Sequence, residues 1–174
     1  MSLYRQDRLD EAKAEMQQAL AGRRALFGDD HPTVAYSLST LANVAAKQND
    51  SAEAIRLSGE AVAVLERGGR GGSYEGAMIR NSYASALWHG ARNDDALREI
   101  DHALADWKRA EPAGKARLVS MLVLKAQIER DLKRSDDARA TALEAAAVGA
   151  PASELAPKTK DLLRELSGRG DLFR

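Results

Sequence analysis

The chain has 174 residues, with 26 basic and 26 acidic side chains and therefore no formal net charge. Nucleic-acid and anionic-membrane binders carry a basic excess, and its lack argues against both. There is no cysteine, which excludes disulfides, thiolate metal sites and cysteine nucleophiles. No stretch approaches the roughly 18 apolar residues of a membrane span. The opening Met1-Ser2-Leu3-Tyr4-Arg5 turns polar too soon for a secretory signal, so a cytoplasmic location is expected.

Alanine, leucine, arginine and glutamate dominate, and all four favour helix. At the N-terminus, a stub (Leu3-Tyr4-Arg5-Gln6) and a turn at Asp7-Arg8-Leu9-Asp10 precede a helix carrying Ala12, Met16, Ala19, Leu20 and Phe27. Val34, Leu38, Leu41, Ala42 and Ala45 then recur at spacings of 3 and 4, one face of a helix. A polar run from Lys47 to Ser51 breaks the pattern. Ala54, Ile55, Ala61, Val62 and Leu65 mark the next helix, with Leu57 on its flank, and the glycines from Gly68 to Gly72 stop it and read as a flexible linker. Met78, Ile79, Tyr83, Ala84 and Leu87 predict a further helix, and Ala96, Ile100, Ala103, Leu104 and Trp107 its partner, ended by Glu111-Pro112-Ala113-Gly114. Leu118, Met121, Leu122 and Ile128, then Ala138, Ala142, Leu143 and Ala145, predict another pair. Leu162, Leu163 and Leu166 mark a last helix after Pro157. No segment alternates as a strand would.

The pattern has a period. Ala12, Ala54, Ala96 and Ala138 lie 42 residues apart, as do Ala19, Ala61, Ala103 and Ala145, and as do Ala42, Ala84 and Ala126. Self-similarity at a fixed period of this size means a repeat array. WD40 blades have a similar length but are built from strands. HEAT and armadillo repeats are helical, and the period alone leaves them open. The alanine spacing separates them. Small residues are needed where antiparallel helices cross closely, and the triplets Ala42/Ala54/Ala61, Ala84/Ala96/Ala103 and Ala126/Ala138/Ala145 resemble the tetratricopeptide-repeat pattern. The 42-residue unit, and the run Gly28-Asp29-Asp30-His31-Pro32 leading into Ser37-Leu38-Ser39-Thr40-Leu41-Ala42, resemble the kinesin-light-chain subclass. Lys125 departs from that pattern, standing where a leucine is expected.

The resemblance implies an all-α, right-handed α-solenoid of antiparallel helix pairs. A single array over 1–174 is expected to divide into a half-repeat at 3–28, repeats at 32–68, 73–110 and 114–149, and a capping helix at 153–168. A repeat cannot bury its apolar face alone, so the array is expected to extend upstream of Met1, within a larger bacterial protein.

Catalytic and cofactor signals are lacking. His31, His89 and His102 do not pair at the i, i+4 spacing of a helical metal site. The resemblance gives His31 a capping role. The glycine run lacks the Gly-Lys-Ser/Thr ending of a phosphate loop. Asp94 and Asp95 fit a helix first turn. No enzyme activity, metal or cofactor is expected.

The resemblance places the first helix of each repeat on the concave surface. The groove candidates are Ser39, Asn43 and Lys47, then Asn81, Ser85 and Trp88, then Gln127 and Arg130. Tyr36, Thr40, Met78, Ser82, His89, Ser120, Val123 and Leu124 flank them. Asn43, Asn81 and Gln127 suit hydrogen bonding to a peptide backbone, Trp88 suits an aromatic anchor, and Val123 with Leu124 suits an apolar pocket. Ser39, Met78 and Ser82 stand where the carboxylate-clamp subclass needs basic residues, which argues against a chaperone C-terminus. The expected function is protein–protein interaction through a peptide or segment in the groove, with no nucleic acid and no membrane. Two alternatives stand beside it. One is homodimerisation through Leu3, Met16, Leu20 and Phe27. The other is a regulatory role for an upstream kinase or nucleotide-binding domain.

Overall fold

A computed structural model describes residues 3–110, 114–150, 155 and 157–170, with side chains from residue 8 onward apart from Lys158. Its described secondary structure is helical throughout: α1 Leu3–Phe27, α2 Pro32–Lys47, α3 Ser51–Arg67, α4 Tyr74–His89, α5 Asn93–Ala110, α6 Lys115–Asp131, α7 Ser135–Ala147 and α8 Pro157–Ser167. Residues 111–113 and most of 151–156 lie outside the described set, and with them the expected start of the capping helix.

Consecutive helices pack against each other along the whole chain. In addition, α2 touches α4, α4 touches α6, and α6 touches α8. The even-numbered helices therefore form one layer and α1, α3, α5 and α7 the other. The alanines make the close crossings possible: Ala54, Ala61, Ala84, Ala96, Ala103, Ala126 and Ala145 are almost fully buried. Larger side chains fill the remaining volume, in one cluster around Leu38, Leu65 and Val34 and another around Leu87, Ile100, Met121 and Leu163.

The starts of α2, α3 and α4 have local causes. The ring of His31 accepts from the backbone N–H of Thr33 at 3.3 Å, and Pro32 follows at the first helical position, where its missing N–H costs nothing. Asp50 accepts from the Glu53 N–H at 3.0 Å, and Ser73 from the Gly76 N–H at 3.1 Å. The turn inside each repeat is built the same way three times. Asn49, Ala91 and Lys133, each 42 residues from the next, all have left-handed backbones. The residue after each donates to a carbonyl five back: Asp50 to Ala45, Arg92 to Leu87 and Arg134 to Glu129, all at 2.9 Å. This is the six-to-one bond of a Schellman motif.

Two expectations are corrected. The turn at Asp7–Asp10 does not form, and α1 runs unbroken from Leu3 to Phe27. No proline or glycine precedes Gly22 in this stretch, so nothing local ends the helix. The Gly68–Gly72 segment is a packed connector. A Cβ at Gly72 would stand 2.6 Å from Arg109 Nη1, one at Gly68 2.7 Å from the Asp30 carbonyl, and one at Gly76 just 2.0 Å from the Gly71 carbonyl. At Gly68 and Gly76 neighbouring backbone occupies the space a side chain would need, at Gly72 the obstacle is the movable end of Arg109, and Gly69 faces open space with φ at 69°.

Ion pairs tie the layers together. Arg80 of α4 is ringed by Glu66 of α3 at 2.5 Å and by Glu99 and Asp106 of α5 at 3.0 and 3.3 Å. Burial opposes its charge, but the hydrogen bonds to Glu66 and Glu99 outweigh that and hold its pKa above the ordinary arginine value. Lys125 finds an ammonium's partners where a leucine was expected, in Asp101 at 2.7 Å and Glu129 at 3.7 Å. Among the described residues no helix is long and apolar enough to cross a membrane.

Candidate functional site

The layer of even-numbered helices carries a cleft of about 720 Å³ between α2 and α4. Its first wall is Ala42, Asn43, Ala46 and Lys47 of α2, continued by Asn49. Its second is Asn81, Ser82, Ser85, Ala86 and His89 of α4. Ser51, Ala54 and Ser58 of α3 form the floor. The cleft exists because its floor is made of small residues. Ala54 and Ser58 lie one helical turn apart on the buried face of α3, and a larger pair would fill the gap.

The chemistry of the cleft is polar and largely uncharged. Lys47 and His89 are the basic groups among its lining residues, and no carboxylate is among them. The Nδ1 of His89 donates to the Ser85 carbonyl at 2.7 Å, which leaves its Nε2 as an acceptor in the neutral ring. Ser82 donates its hydroxyl to the Met78 carbonyl at 3.3 Å and is locally satisfied. Asn81 differs: its Oδ1 is buried and receives no hydrogen bond. Buried acceptors are nearly always paired, so an orphan at the wall of a cleft marks a place where a donor is wanted.

The candidates from sequence divide between two environments. Asn43, Lys47, Asn81 and Ser85 line the cleft together. Ser39 is half-buried on α2 outside it, and Gln127 is half-buried on α6. Trp88 is also outside: its indole N–H donates to Asp131 Oδ2 of α6 at 2.8 Å, and its ring packs against the core. Arg130 is held by Glu165 of α8 at 3.1 Å. Val123 offers no pocket because it is buried in the core, with Leu124 packed beside it. Leu20 is likewise buried against α2, while Leu26 and Phe27 are 77% and 53% exposed. Phe27 stacks on His31, ring centroids 4.8 Å apart. Leu3 lies among the residues whose side chains are not described.

Sequence reasoning missed the floor. Ser58 sits four residues after Ala54 and three before Ala61, so it continues the stripe of small residues that the alanine period reveals. Among the described residues, no group of three or more histidine, aspartate or glutamate side chains is placed to hold a metal ion.

The tetratricopeptide-repeat family profile matches residues 1–67. No curated protein matches the chain in sequence. Among solved structures, the chain is similar to BtubC (BKLC) from P. vanneervenii, with a TM-score of 0.81 and 17% identity, over 95% of this chain and 68% of that one. It is also similar to a candidate kinesin light chain from Podosopora anserina with nearly identical TPR-like repeats, with a TM-score of 0.76 and 14% identity, over 95% of this chain and 82% of that one. At these identities the likeness establishes the fold, a TPR-like α-solenoid of antiparallel helix pairs. Residues 1–67 thus match the tetratricopeptide-repeat profile, and the described fold as a whole is like that of the kinesin-light-chain-like repeat structures.

Proposed function

We propose that the chain binds an extended segment of a partner protein in the cleft between α2 and α4. Tetratricopeptide repeats in general mediate protein–protein interaction, and the polar cleft supports that reading. The observation that carries the reading is the buried, unpaired Oδ1 of Asn81 at the cleft wall. A peptide N–H can pair with that oxygen once the Asn81 amide turns toward the cleft, and the side-chain amide of Asn43 on the facing helix offers both a donor and an acceptor. The alanines at positions 42, 46, 54 and 86 let a backbone approach closely. With Lys47 and His89 as the basic lining groups, charge steering is weak and the affinity is modest.

A random linear-peptide phage library, selected on the immobilised protein, tests this. Wild-type protein enriches a consensus. Ala46→Trp, which fills the cleft from an exposed position, abolishes the enrichment while leaving the helical circular dichroism unchanged. The same consensus recovered on Ala46→Trp removes the cleft from consideration.

A second reading, self-association, rests on Leu26 and Phe27, the two most exposed large apolar side chains described. Single exposed hydrophobics are ordinary, and the burial of Leu20 has narrowed the patch. Phe27→Asp tests it: a dimer in sedimentation that dissociates on this change supports the reading, and a wild-type monomer at high concentration ends it.

A further inference from the structure

Glu129 of α6 is a carboxylate in a place that does not suit one. It is 5% exposed, and its Oε2 is buried with no hydrogen-bond partner. The nearest cation is Lys125, one helical turn away at 3.7 Å, and that ammonium stands closer to Asp101 of α5, at 2.7 Å. From α7, Thr141 offers a hydrogen bond, but Asp137 adds a second negative charge, and Glu144 also draws on Lys125. Glu144 is itself within 3.6 Å of Lys108 of α5. The guanidinium of Arg134, at the start of α7, is turned to Asp94 at 3.9 Å. α4 and α8 meet α6 through Trp88–Asp131 and Arg130–Glu165. One cation is thus shared among several carboxylates, and the most deeply buried of them has the longer contact to it.

We propose that the packing of α7 on α6 is tightened by acid: a proton taken up at Glu129 removes a buried, under-compensated negative charge and strengthens the joint of this repeat. Burial raises the Glu129 carboxyl above its ordinary pKa, and the Thr141 hydrogen bond and the Lys125 charge offset only part of that rise. The sign follows from linkage. A carboxyl that binds its proton more tightly folded than unfolded adds stability below its unfolded value near 4.5, and that stability is lost as pH rises through the folded value. In the joint of the preceding repeat each carboxylate facing Arg80 lies within 3.3 Å of its guanidinium. Arg80 answers its three carboxylates with a group that does not titrate in the physiological range. The device is independent of the cleft, and a failure of either leaves the other standing.

Hydrogen exchange of the α6 and α7 amides, corrected for intrinsic rates, reads this directly in the full chain. Between pH 4.5 and 7.5 the wild type should lose protection relative to Glu129→Gln, by up to about tenfold per pH unit where Glu129 ionises. The comparison removes pH effects common to both proteins. Lys125→Met, which removes the nearest cation, should carry the loss on to higher pH. A ratio between wild type and Glu129→Gln that does not change with pH overturns the proposal. So does a Glu129→Gln protein less protected than wild type at pH 7.5.

Discussion

The indole N–H of Trp88 on α4 donates to a carboxylate oxygen of Asp131 on α6 at 2.8 Å, joining inner helices of successive repeats across 43 residues of sequence. A tryptophan on the inner face of a helix suggests a recognition anchor. Here its polar end is already spent on the next repeat, which fixes the spacing of α4 and α6. Trp88→Phe keeps the ring and removes the donor. It should lower stability by about 1 kcal/mol in urea titration, the usual scale for losing a partly exposed bond to a charged acceptor. It should leave peptide binding in the α2–α4 cleft unaltered.

The turns inside the repeats store strain at chosen points. Asn49, Ala91 and Lys133 all have positive φ, at 63°, 58° and 64°. Asparagine tolerates that conformation; alanine and lysine pay roughly 1 kcal/mol for the clash of Cβ with the backbone. Ala91→Gly should therefore raise stability by up to about 1 kcal/mol, despite the greater freedom glycine gives the unfolded chain. Asn49→Ala should lower it. Thermal unfolding of the two variants checks both signs.

Arg80, with side-chain exposure of 12%, has three carboxylates around it. Arg80→Met leaves Glu99 and the buried Asp106 without their shared partner. The loss should be about 3 kcal/mol, as for breaking other buried pairs from one side. Asp106 keeps Arg109 at 3.1 Å, so combining Arg80→Met with Asp106→Leu should recover part of that loss. Equilibrium denaturation of the single and double variants measures the coupling.

The alanine lattice makes a contrast within one residue type. Ala84 is fully buried where α4 crosses its neighbours, while Ala25 is exposed on α1. Ala84→Leu should cost about 1–3 kcal/mol or more through overpacking. Ala25→Leu should change stability by less than about 0.5 kcal/mol.

That contrast also shows what the sequence makes legible. The period of 42 points to Ala54, Ala61, Ala96, Ala103 and Ala138 as crossing positions, and all are buried. Small residues at fixed spacing record a geometric constraint, and the record survives in one chain. Ala12 and Ala19 belong to the same series yet are only half-buried, because α1 packs chiefly on α2. The residues that were harder to read act through partners far along the chain. The Arg80 cluster draws on α3 and α5, Trp88 reaches forward to Asp131, and Arg130 reaches Glu165. No local pattern announces such pairs. The cleft was half legible: its walls follow from helix register, but its floor at Ser58 depends on which neighbour stays small.

Binding in the cleft turns on Asn81 meeting the backbone of the bound segment. The most direct measurement is calorimetric titration of a library-selected peptide into wild type, Asn81→Ala and Gln127→Ala. Asn81→Ala should bind roughly tenfold more weakly, the scale of one lost hydrogen bond at a buried site, and Gln127→Ala on α6 should bind as wild type does. Equal affinity for wild type and Asn81→Ala, with loss at Gln127→Ala, would contradict it and move recognition to the α6 surface.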